Sequence, residues 1–172
     1  MPTLRSVLFG RAPSDHGRPS RAVDVALLVL RLGCGAFLIV WASLKFLRPE
    51  WMVNVFKGTY GIASASPDWA YAVGSLQMVL AIAFTLGLLR RFTYPLATLM
   101  HATGIVGAFL TGSVLFKGGI IGAVSSGKFE IGYVNFPANL LWTSLATLGA
   151  FLALWLLWRE DRYTLDRMMG RG

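Results

Sequence analysis

Three side chains able to do chemistry stand inside long apolar runs of this sequence: Arg31, Gln77 and His101. A guanidinium stays charged in a protein because its pKa exceeds about 12. At the centre of a bilayer it costs at least about 2.5–3.5 kcal/mol on insertion scales unless partners or water surround it. Arg31 therefore needs carbonyls, the amide oxygen of Gln77, a trapped water or an anionic ligand. Three readings of it stay open: a side chain snorkelling toward head groups, since helical side chains lean toward the helix N-terminus, a buried structural network, or a contact with a ligand or cofactor. His101 is a hydrogen-bonded packing residue, a proton relay, or a partner for a quinone carbonyl. Gln77 is neutral and cannot act as a general base. Cys34, three residues beyond Arg31, reads as inert packing, and as the single cysteine it permits no disulfide within the chain.

The elements that must position these residues are four apolar stretches, at about 23–47, 69–89, 94–116 and 137–158. Each has about the 20 residues that a helix rising about 1.5 Å per residue needs to cross a hydrocarbon core of about 30 Å. Hydrophobic residues make up 55% of the 172 and charged ones 14%. That charge content is well below the roughly 25% of soluble domains. The expected fold is all-α, an integral membrane four-helix bundle. Residues 1–22 read as a flexible basic tail, 23–158 as the membrane domain and 159–172 as a C-terminal tail. The first stretch exceeds the 7–15 residues of a typical signal h-region, so it reads as a retained helix. Rise per residue places Arg31 and His101 about 12 Å below the inner boundary and Gln77 roughly 18 Å from it, within reach of one another if their helices face.

The net charge of +8 would suggest nucleic acid in a soluble protein. Here the basic residues lie in flanks and loops, where they set topology and touch anionic lipid, so no nucleic-acid partner is expected. With both termini inside, ten basic residues face the cytoplasm and five face out, and the Arg90–Arg91 turn is the clearest signal. The location expected is a bacterial-type inner (plasma) membrane, multi-pass, N-in and C-in. Pro49 suits the start of a short outer helix running to about Lys57, and Pro137 suits the first turn of the last helix. Trp51, Tyr60, Trp69, Phe129, Tyr133 and Phe136 suit the head-group level. Small residues at spacings of four (Gly104, Ala108, Gly112; Ala70, Gly74; Ala83, Gly87) allow close helix packing. Nothing in the sequence has metal-ligand spacing, so no metal is expected.

Arg31-Leu32-Gly33-Cys34-Gly35, followed by Trp41-Ala42-Ser43-Leu44-Lys45-Phe46, resembles the first helix of the DoxX family of small membrane proteins. Gly74, Gln77, Gly87 and Arg90-Arg91 match the frame of that family's second helix, and Arg162-Tyr163-Thr164-Leu165-Asp166 is similar to the short segment after its fourth. The resemblance covers about 23–169. Gln77 stands where the family usually has an acid, which takes away the expected counter-charge of Arg31, and Trp41 stands where a histidine is common. The second outer loop is also longer than the family's. The resemblance implies a four-helix membrane bundle linked to redox systems. The expected function is an accessory inner-membrane subunit of a quinone-linked redox or respiratory system. In that role Arg31, Gln77 and His101 line a pocket for a quinone, Trp41 and Lys45 lie at the outer interface, and other membrane subunits carry the electrons. The alternatives are a small transporter, a purely structural assembly subunit, or a quinone reductase in its own right.

Overall fold

The computed structural model describes residues 21–111, 128–131 and 134–171. The chain runs α1 (Arg21–Leu47), α2 (Pro49–Tyr60), α3 (Pro67–Leu86), α4 (Arg90–Thr111), β1 (Lys128–Ile131), β2 (Val134–Pro137), α5 (Ala138–Leu156) and α6 (Leu165–Met168). The described residues are mainly helical, with a short antiparallel hairpin in which Lys128 pairs with Pro137 and Ile131 with Val134. Pro137, expected to open the last helix, instead closes β2, and α5 begins one residue later. The basic tail at 1–20, Phe116, Lys117, Gly112 and Tyr133 lie outside the described residues.

Local chemistry sets the helix ends. Asp24 in the first turn of α1 and Lys45 in its last oppose the helix dipole favourably. Pro49 and Pro67 open α2 and α3, where a missing N–H costs nothing. Gly87 ends α3 in the left-handed region (φ 67°). The Leu88 N–H reaches back to the Ala83 carbonyl at 2.8 Å, so an otherwise orphaned acceptor is satisfied. Leu89 follows with φ 49°, a conformation that costs a side chain-bearing residue about 1–3 kcal/mol unless its surroundings hold it.

Consecutive long helices run antiparallel. Along α1 and α3, Gly35 lies against Thr85 and Lys45 against Gly74. Along α4 and α5, Thr98 bonds the Phe151 carbonyl and His101 the Ser144 carbonyl. The α1–α3 seam is the most extensive interface, and glycine is required there. A Cβ on Gly35 would sit 2.1 Å from Thr85 Oγ1, and one on Gly74 would sit 2.9 Å from Lys45 Cβ. Gly104, expected to be a packing glycine, has nothing within 4 Å of a would-be Cβ. The main core joins Leu27, Leu38, Phe84, Tyr94, Phe151 and Leu154; a second cluster under α2 holds Met52, Val53, Phe56, Ala65 and Ala70.

The distribution of polarity is inverted relative to a soluble domain. Val29, Val40, Leu76, Val79 and Leu96 lie on the outside, while Arg31, Arg90, Asp161, Asp166 and Gln77 are buried. Among the described residues α1 and α3 are each long and apolar enough to cross a membrane, and α5 contributes a shorter apolar run over Thr143–Leu156.

Candidate functional site

Arg31 leaves the middle of α1 and is enclosed at the end of the helical body, 3% exposed. Its Nε donates to the Thr85 carbonyl at 3.1 Å, Nη1 to Asp161 Oδ2 at 2.6 Å, and Nη2 to the Tyr163 carbonyl. The ion pair with Asp161 is completely enclosed, the acid being 0% exposed. Tyr94, from the second turn of α4, donates its hydroxyl to the same carboxylate oxygen at 2.5 Å. The Thr85 and Tyr163 carbonyls and the Tyr94 hydroxyl thus converge on one guanidinium–carboxylate pair. Charge-assisted bonds of this kind are about twice as strong as neutral ones.

A second layer fastens the segment that carries Asp161. Arg90 Nη1 donates to the carbonyls of Trp158 (2.8 Å) and Asp161 (2.5 Å), and its guanidinium lies 6.0 Å from the Trp158 ring centroid. Asp166 accepts from the backbone N–H groups of Leu89 and Arg90, both at 2.9 Å. Its carboxylate therefore caps the N-terminus of α4, where anions are favoured, and holds Leu89 in its left-handed conformation. Thr164 fills the space a side chain at Gly87 would occupy, with Cβ 2.7 Å from the ideal position. Arg162 lies 3.7 Å from Asp24 at the start of α1. Residues 159–172, expected to be a tail, thus fold back as far as Met168 and latch onto α1, α3 and α4. One oxygen of Asp161, one of Asp24 and Arg90 Nε are buried without a hydrogen-bond partner.

The structure does not gather the three expected site residues into one pocket. Arg31 is level with Thr85 on α3, and its ion pair is with Asp161 rather than with anything at position 77. His101 is level with Phe37, whose ring it meets edge-on at 5.1 Å, and its Nε2 is 3.0 Å from the Ser144 carbonyl. Gln77 is buried on α3 eight residues before Thr85, about 12 Å along the helix axis. At the opposite end, Lys45 is 6% exposed and donates to the Trp41 carbonyl of its own helix at 3.2 Å. The Trp41 ring lies 6.2 Å from that of Trp51.

A groove of about 670 Å³ runs between α1 and α5, lined by Ala26, Val29, Leu30, Gly33, Cys34 and Phe37 on one side and Ala146, Thr147 and Ala150 on the other. Among the described residues no three His, Cys, Asp or Glu side chains come together as metal ligands. Sequence reasoning missed Asp161, Tyr94 and Asp166. The available signal was the unmet need of Arg31 for an anion, together with two acids in the segment that follows the last apolar stretch. No family model matches the chain, and neither a curated protein nor a solved structure shows significant similarity to it.

Proposed function

We propose that the chain is a multi-pass inner-membrane protein, N-in and C-in, that acts as an accessory subunit of a quinone-linked redox complex. The observation that carries this reading is the closure of the polar network. Arg31, Arg90, Asp161 and Asp166 bind one another and the backbone, and among the described residues the outer helix faces are largely apolar and border an apolar groove. A transporter needs a polar path between helices, and Arg31, the charge in the interior of α1, is spent on the latch. An enzyme needs reactive groups facing a cavity, and the groove offers mainly alkyl and aromatic surface. Such a groove suits an isoprenoid tail or a partner's helix, which is what an accessory subunit requires. The DoxX resemblance supplies the quinone-linked part of the proposal, with electrons carried by a partner.

The test is native purification of the full chain in mild detergent, with mass spectrometry of co-purifying proteins and lipid-soluble cofactors. The expected result is an oxidoreductase partner, a bound quinone, or both. Arg31→Leu is expected to lower the yield of that complex and its quinone-dependent activity. Purified protein with neither quinone nor redox partner would sink the proposal.

A further inference from the structure

The charges of the latch are divided unequally between interior and surface. Asp24, Asp161 and Asp166 are buried and Glu160 is half-buried, whereas Arg91, Arg159, Arg162, Arg167 and Arg171 are exposed. The acids at this end are largely enclosed in the network, with Asp24 reaching Arg162 at 3.7 Å, while the guanidinium-bearing residues Arg91, Arg167 and Arg171 face outward. Arg167 Nη2 reaches the Arg159 carbonyl at 2.8 Å, Arg159 lies over the Trp158 ring at 5.2 Å, and the Arg171 N–H bonds the Asp166 carbonyl. The cations are therefore carried on one folded surface. Large apolar side chains stand exposed among them: Phe92, Leu89, Tyr163, Met169 and Met168, the last 81% exposed. This mixed surface continues into the largely apolar outer faces of α1, α3 and α4.

We infer that this face binds the phosphate layer of an anionic phospholipid surface. The inference rests on the reading of the chain as membrane-spanning. Guanidinium forks match phosphate oxygens with two parallel bonds where ammonium offers a point charge. A layer of phosphate adjoining hydrocarbon fits a surface on which arginines and exposed Phe and Met side chains alternate and then give way to aliphatic helix faces. A nucleic acid would satisfy the arginines but leave Phe92 and Met168 without an apolar environment. Because the same segment supplies Asp161 and Asp166, lipid bound here also holds the latch against the helices.

The test uses the full chain in mild detergent and in nanodiscs. Phosphatidylglycerol is offered against phosphatidylcholine and against inorganic phosphate, and retained lipid is read by native mass spectrometry alongside thermal unfolding. Phosphatidylglycerol is expected to be retained selectively and to raise the unfolding temperature, with both effects weakening as salt rises. At about 1 kcal/mol per arginine near an anionic surface, the triple variant R91Q/R167Q/R171Q should lose on the order of tenfold or more in selectivity, while the corresponding triple lysine variant keeps most of it. Equal retention of both lipids by the unmodified protein overturns the inference. So does full selectivity in the glutamine variant, competition by inorganic phosphate at equal concentration, or tighter binding of a polynucleotide than of phosphatidylglycerol vesicles. Stable incorporation into phosphatidylcholine nanodiscs without lipid selectivity would defeat this inference and leave the membrane-spanning reading intact. Protein that stays soluble and folded without detergent or lipid would defeat that reading as well.

Discussion

At one end of the helical body, Arg31 meets a carboxylate, two carbonyls and, through Asp161, a tyrosine hydroxyl; at the other, Lys45 meets one carbonyl of its own helix. Both cations sit on α1 and both are buried. They differ in what the rest of the chain brings to them. Three segments remote in sequence converge on Arg31 and its acid, whereas the bond of Lys45 spans one helical turn. A charge that cannot be shed has to be paired by tertiary structure. An amine at a helix C-terminus is already favoured by the local carbonyl dipoles. The first arrangement organises the fold, and the second is tolerated by it.

The largest effect expected from this contrast is at the ion pair. Removing one partner of a buried pair strands the other and costs about 3–5 kcal/mol. Asp161→Ala and Arg31→Leu should each lower stability by that amount, measured by thermal unfolding in mild detergent. The double variant should recover much of the loss, because an apolar pair of similar volume is often neutral. Additive losses in the double-mutant cycle would mean that Arg31 and Asp161 act separately, and would remove the basis of the comparison. Tyr94→Phe should cost less, about 1.5–3 kcal/mol, the range for a hydrogen bond to a charged group. Its ring contact with Phe84, at a centroid distance of 5.0 Å, is retained by phenylalanine, so a larger loss would point to a role beyond that bond.

The helices were legible because their signal is local. Runs of about 20 apolar residues and Pro49 at a helix start each declare themselves within a few positions. Arg31 was legible as a residue in need of a partner, because a guanidinium in an apolar run violates its surroundings whatever the fold. The identity of the partner was not. Asp161 lies 130 positions away, and nothing in the spacing of either residue encodes the return of the chain after α5. Gln77 stood out as a polar group in an apolar run, where the DoxX resemblance implies an acid, but antiparallel packing sets it level with Ala42, not with Arg31. His101 was placed near Arg31 by depth, yet α4 packs it beside Phe37 and Phe151. A one-dimensional depth estimate cannot tell which helix face a residue shares with another. The C-terminal latch was illegible for a related reason: a short charged segment after a membrane helix looks the same whether it is solvated or folded back.

The smallest effect is the one that sharpens the comparison most. Lys45→Met removes an ammonium whose desolvation is offset by a single long bond, and replaces it with a flexible apolar chain of similar length. What is lost is one 3.2 Å contact and a favourable dipole interaction of about 0.3–1 kcal/mol. What is gained is relief from burying a cation, a cost of several kcal/mol. The two nearly cancel, so stability should change by no more than about 1 kcal/mol, in either direction. Unfolding measured in the same detergent as the Arg31 variants checks this directly. A loss approaching that of Arg31→Leu would mean that Lys45 holds an anion at its end of the helices, and the two ends would then be alike: each a cation kept in place by an opposite charge.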